Sequence, residues 1–195
     1  MVTTPPDEGR AASRTGTDTK ARILDAAEEV VLRDGVGRLT LEAAAHQAGL
    51  SKGGVLYHFA TRDALVAGMV ERIIEEFDRD LDRARGDDDT PGAFTRAYLR
   101  ATLAPGSDER AREDRLGAAL IAAAAAQPEL IRPLQHAFDR WQARIEDDGI
   151  DPARATALRL AADGLWLSEL FGLATPPADL RDRLGAELER LTEAS

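Results

Sequence analysis

Apolar residues recur every three or four positions along almost the whole chain, and no stretch alternates in the manner of a strand. Ile23, Ala27, Val30 and Val31 give one apolar face to a helix over about residues 20–34, stopped by Gly35. Leu41, Ala44, Ala45 and Ala48 repeat that spacing in a shorter segment. It opens at Thr40, whose hydroxyl can accept a free backbone N–H, and closes at Gly49, which can turn left-handed. Ser51 caps a third segment carrying Lys52, Gly53, Gly54, Tyr57 and His58, with Leu56 and Phe59 expected to anchor it. Beyond Thr61, the positions Leu65, Met69, Ile73, Phe77, Leu81 and Ala84 carry the period to Arg85. That predicts a rod of about 35 Å. A loop over 86–91 follows, then five more helices: 92–103, 108–126 after a Ser107 cap, 128–145, 151–172 and 178–192. Pro133 lies inside the third of these and is expected to kink it. The pattern predicts an all-α chain of about nine helices. A three-helix head over 19–65 is joined by the long helix to a helical body over 66–195. Residues 1–18, with no apolar period, are expected to form a disordered arm.

The apolar surface of the last two helices belongs either to the core of the chain itself or, as favoured here, to a contact with a second copy. The 151–172 segment carries Leu158, Leu160, Leu165, Trp166, Leu167, Leu170 and Phe171 nearly all round, with Arg159 and Asp163 as a polar stripe spaced to pair. The 178–192 segment has a narrow seam of Leu180, Leu184, Leu188 and Leu191, which suits helix pairing. A symmetric dimer through these last two helices would bury both faces in a four-helix bundle.

The second and third segments, joined by Ala48-Gly49-Leu50-Ser51, have the form of a helix-turn-helix unit. In such a unit the second helix enters the DNA major groove with its first residues near base edges. Between Ser51 and Arg62 there are two cations, one histidine and no acid. The adjacent glycines cost about 2 kcal/mol of helix propensity, which a helix accepts where another backbone must come close. DNA contacts are expected from Thr40, Ser51, Lys52, Gly53, Gly54, Tyr57 and His58, with Lys20 and Arg62 on phosphates. Lys52, and Ser51 beside it, lie nearest the base edges. His46 is expected to be a solvated surface residue.

A net charge of −10 over 195 residues argues against a generic nucleic-acid binder, but its distribution changes the picture. Residues 1–62 hold eight Lys/Arg and eight Asp/Glu, so the excess negative charge lies in the remainder. There is no cysteine, no leader and no apolar run long enough to span a bilayer, which points to the cytoplasm. The histidines at 46, 58 and 136 are scattered, and no nucleophile elbow, zinc-binding His pair or phosphate-binding glycine loop occurs. No enzyme, cofactor or metal is expected.

Gly35, Thr40, Ala48-Gly49-Leu50-Ser51-Lys52-Gly53, Leu56-Tyr57-His58-Phe59 and Thr61-Arg62-Asp63-Ala64-Leu65 stand in an order and spacing that resembles the TetR family of transcriptional regulators. The resemblance covers roughly residues 17–77. It implies a homodimer on a palindromic double-stranded operator, with recognition helices one turn, about 34 Å, apart. It also implies a small-molecule effector bound in the body that releases repression. Phe94, Tyr98, Phe138, Trp141, Trp166 and Phe171, with Leu116 and Leu120, are the expected pocket lining; simple core packing is the alternative for any one of them. Asp163, Glu169, Gln142 and Gln135 are either polar contacts for the effector or partners in ion pairs. A competing reading is a small-molecule binder that retains the head without using it.

Overall fold

The computed structural model describes residues 8–104, 108–125 and 127–193. Among these residues there are α1 (Glu8–Asp34), a 3-10 turn (Val36–Arg38), α2 (Leu41–Ala48), α3 (Lys52–His58), α4 (Arg62–Arg85), α5 (Ala93–Thr102), α6 (Asp108–Ala125), α7 (Pro128–Glu146), α8 (Pro152–Phe171) and α9 (Ala178–Arg190). No strand occurs among them. Backbone contacts divide the chain into two compact units that meet between Met69 and Val70. The single helix α4 begins in the first and continues in the second.

The first unit is built from short-range signals. α1 buries Ile23, Leu24, Ala26, Ala27, Val30 and Val31 on one face and packs against α2. Gly35, with φ of 83°, takes the chain out of α1 into the turn. Thr40 accepts from the Ala43 N–H at 3.0 Å to start α2, and Gly49 ends it with φ of 65°. The Leu50 N–H then reaches back to the Ala45 carbonyl at 2.9 Å, a Schellman closure. Ser51 accepts from the Gly54 N–H at 3.1 Å, and Thr61 from the Ala64 N–H at 3.0 Å, so the next two helices also start at the expected caps.

Two expectations fail here. The chain is helical from Glu8, so residues 8–18 are not the disordered arm that their weak pattern predicts; residues 1–7 lie outside the described residues. Extending an existing helix costs far less than nucleating one, and Arg10, Ala11, Ala12 and Arg14 are good helix formers. In α3 the anchors are Val55 and Phe59, one turn apart and both buried, while Leu56 is 40% exposed.

Gly68 of α4 lies against Phe59 and Leu24. A methyl group at 68 would sit 2.7 Å from Phe59 Cε1, inside contact distance of a buried ring. Gly68→Ala gains about 1 kcal/mol of helix propensity but overpacks this joint, which typically costs about 1–3 kcal/mol. Net destabilisation of the first unit by about 1 kcal/mol is expected in thermal melts; a rise in melting temperature would show that the ring moves freely.

In the second unit, α5 packs on α8 and α9, α7 on α6 and α8. Leu99, Leu103, Leu158 and Ala162 form a buried cluster with Leu165 and Leu188 against it. α7 runs unbroken through Pro133. The expected Ser107 cap of α6 lies outside the described residues. α5 has no side-chain cap of its own, because Gly92 precedes it. The Asp148 carboxylate supplies one from beyond α7, accepting from the Phe94 N–H at 2.9 Å, the Thr95 N–H at 2.7 Å and the Thr95 hydroxyl at 2.7 Å. Among the described residues no helix is long and apolar enough to cross a membrane.

Candidate nucleic-acid interface and the aromatic cluster of the body

The expected DNA-contacting residues of α2 and α3 share one exposed surface chemistry. Thr40, Ser51, Lys52, Gly53 and Tyr57 are exposed, and Gly54 and His58 are half-buried. Tyr57 is 86% exposed and meets the edge of His58, at 5.0 Å between ring centroids. A tyrosine so placed buries little of its ring within its own chain. The glycines are equally unexplained from within: a side chain at 53 or 54 would meet nothing closer than the Ser51 hydroxyl, at 3.9 and 3.5 Å. Their cost in helix propensity therefore has no steric cause in this chain.

Three cations differ in their freedom. Lys20 is exposed, with its ammonium 5.9 Å from the Phe59 ring. Lys52 is ion-paired with Glu42 of α2 at 2.5 Å, and both side chains are more than half exposed. The Lys52 ammonium holds the Glu42 carboxyl below its usual range, chiefly by that hydrogen bond. Sequence reading found no acid between Ser51 and Arg62 and missed this one, which comes from the preceding helix. Arg62 is a correction. Its guanidinium donates to the Leu39 and Val36 carbonyls, both at 2.9 Å, and pairs with Asp63 at 3.3 Å. It clamps the turn before α2 instead of standing free for a phosphate.

In the second unit the predicted pocket residues separate into several groups. Tyr98 and Phe138 both pack edge-on near Trp141, at 6.3 and 5.1 Å between centroids. Phe77 of α4 completes this cluster, 5.5 Å from Tyr98 and 4.8 Å from Trp141; its spacing along α4 made it look like a plain seam residue. Phe94 lies beneath the Arg144 guanidinium, 3.8 Å away. Leu116 and Leu120 are buried on α6. Trp166 donates to Asp114 at 2.9 Å. Phe171 is 55% exposed near the end of α8, so the expectation that it lines a pocket fails: α8 turns it outward.

Buried aromatic polar groups in the body are satisfied by aspartates. The Trp141 indole donates to Asp78 at 2.7 Å, and the Tyr98 hydroxyl donates to Asp163 at 2.8 Å. Arg159 pairs with Asp163 at 2.6 Å, as the i,i+4 spacing predicts, and also reaches Gln142 at 2.7 Å. Glu169 is paired with Arg181. Burial raises the Asp163 carboxyl, against the lowering by Tyr98 and Arg159, and burial beside Asp163 drives the Tyr98 phenol far above its ordinary range. Beside the ring cluster lies an open cleft of about 540 Å³, lined by Asp78, Asp82, Arg140, Trp141, Ala143 and Arg144. Among the described residues no group of three or more His, Asp or Glu is placed to hold a metal ion.

Similarity to known proteins agrees with this division. Residues 23–69 match the family model of bacterial regulatory proteins of the tetR family. Residues 92–193 match the Tetracyclin repressor-like C-terminal domain. Over 80 residues the chain is 32% identical to the HTH-type transcriptional regulator TtgR of Pseudomonas putida; the match spans 41% of this chain and only 38% of that protein. The crystal structure of the multidrug binding protein EbrR complexed with ethidium superposes with a TM-score of 0.68 at 26% identity, over 90% of this chain and 99% of EbrR. A TetR-family member from Streptomyces coelicolor A3 gives 0.70 at 27%, over 90% and 99%. With a helix-turn-helix head and a tetracycline-repressor-like body both matched in one chain, this protein belongs to the TetR family of bacterial regulatory proteins.

Proposed function

We propose that the chain is a cytoplasmic homodimeric repressor that binds a palindromic operator and leaves it when a small molecule enters the body. In domain terms, residues 19–65 bind DNA and residues 66–195 hold the effector and the dimer contact. The observation that carries the DNA reading is the Gly53-Gly54 pair, which opens the backbone of α3 where, among the described residues, the Ser51 hydroxyl alone comes within 4 Å of an added Cβ. Thr40, Ser51, Tyr57 and His58 would hydrogen-bond phosphates, fixing the register, with Lys52 directed at the bases. Lys20 joins them through phosphate. A gel-shift titration with salt tests this. Affinity for a selected operator is expected to fall at least a hundredfold between 50 and 200 mM salt, because phosphate contacts release counterions. A protein that binds no duplex at low salt would support the competing reading of a pure small-molecule binder.

The dimer reading is supported by the leucines and phenylalanine that α8, α9 and their junction leave in solvent: Leu160, Leu167, Phe171, Leu173, Leu180 and Leu184 are 37–59% exposed. Apolar exposure on that scale in two consecutive helices suits a self-complementary contact. The effector reading is supported by the ring cluster around Trp141 and the cleft next to it. The Trp141 ring set beside the mixed charges of Asp78, Asp82, Arg140 and Arg144 suits a flat organic molecule with polar groups. EbrR, which shares the fold at 26% identity, was crystallised with ethidium. A ligand that binds one arrangement of the body better than the other can shift the population by no more than that difference in affinity.

A further inference from the structure

We propose that Lys52 and Glu42 together read one G·C base pair in each half-site, Lys52 donating to guanine O6 and N7 while Glu42 accepts from cytosine N4. The inference rests on the DNA-binding reading above and adds a specificity-determining residue, Glu42, to it.

The pair joins the first turn of α3 to the first turn of α2, with the Lys52 ammonium 2.5 Å from Glu42 Oε1. Both side chains are more than half exposed, so the pair stands on the surface. Ion pairs at such positions contribute little to stability. The dipole of α2 favours an acid anywhere in its first turn, but does not require one that touches the lysine of the next helix. A carboxylate carried on a face turned to phosphates is repelled unless it finds a donor there. The major-groove edge of a G·C pair offers two acceptors, N7 and O6, followed by one donor, the N4 amino group. O6 and N4 are themselves hydrogen-bonded to each other, about 2.9 Å apart. A donor and an acceptor already held 2.5 Å apart match that neighbouring acceptor and donor with little movement. An A·T pair presents its donor between two acceptors, and the thymine methyl flanks the outer one, so the ammonium loses its second acceptor. Glu42, ionised at neutral pH like any exposed carboxylate, only accepts hydrogen bonds and so has no use for a base-edge acceptor.

Selection of duplexes from a random pool, run in parallel with the wild type, Glu42→Ala, Glu42→Gln and Lys52→Ala, tests this. The wild type is expected to enrich a symmetric site with an invariant G·C pair in each half, at which a change to A·T weakens binding about tenfold or more. Lys52→Ala is expected to lose the preference at that pair alone. Glu42→Ala should relax it severalfold, and Glu42→Gln, which keeps an acceptor oxygen, should restore most of it. A uniform rise in affinity of Glu42→Ala for every duplex, with base preference unchanged, would mean that Glu42 only competes for the lysine, and overturns the proposal while leaving DNA binding intact. Enrichment of no duplex by the wild type would overturn both. Matching helical circular dichroism across the four proteins separates these outcomes from misfolding.

Discussion

Leu167→Glu combined with Leu184→Glu is expected to convert the protein to a monomer and to lower operator affinity about a thousandfold or more, to the level of non-specific binding. Both leucines are exposed in the single chain, at 45% and 37%, so the helices themselves should keep their fold. Burying each leucine side chain contributes about 1.5–3 kcal/mol, and twofold symmetry counts every position twice. The substitution removes that term and sets carboxylates where they would have to be buried without partners, at several kcal/mol each. One head alone contacts one half-site, and a single short helix gives too small an interface to hold DNA specifically. Light scattering gives the mass, and gel shift on the same sample gives the affinity. A double variant that remains dimeric would place the contact on another face.

The second large effect is expected at Asp148. Its carboxylate is the cap of a helix that begins 55 residues upstream, and it accepts three hydrogen bonds around the buried Thr95. Asp148→Ala would leave two N–H groups and a hydroxyl in search of partners at the start of α5. Each buried orphan costs about 1–3 kcal/mol, and water can reach part of this half-buried corner, so a loss of about 3 kcal/mol is expected. Asp148→Asn keeps one acceptor oxygen and should lose about half as much. Urea unfolding followed by tryptophan fluorescence reports on the second unit, since Trp141 and Trp166 both lie there. An unshifted midpoint for the alanine variant would show that solvent replaces the carboxylate at no cost.

Most of the fold could be read from the chain because its signals are local. Thr40, Ser51, Thr61 and Asp151 each accept from an N–H three residues on, and Gly49 closes α2 within its own turn. What could not be read depends on residues distant in sequence. Arg62 looks like a free cation until the Val36 and Leu39 carbonyls, 26 and 23 residues back, are brought to it. Glu42 looks like a solvated helix residue until α3 folds against α2. In a seven-residue helix the phase of the buried face rests on two positions, so Val55 and Leu56 were exchangeable on pattern alone. The aromatic residues were recognisable as belonging to the body, but composition says nothing about which rings meet. Phe171 and Trp141 both fall in apolar series at helical spacing; only packing turns one to solvent and the other to Asp78.

The span of the contacts also implies an order of assembly on the ribosome. The hydrogen bonds from Arg22 to the Ala48 carbonyl and from Arg62 to the Leu39 and Val36 carbonyls all close within the first 69 residues, so these contacts have their partners early in synthesis. The opposite holds for α5. Its first turn waits for Asp148, and the Arg96 beside it waits for the hydroxyl of Thr192, 96 residues later, where the Thr192 carbonyl would lie 2.9 Å from any Cβ at Gly92. The nascent chain therefore has the contacts of its first unit available well before those that close α5, and domains that mature in that order fold N-terminal first.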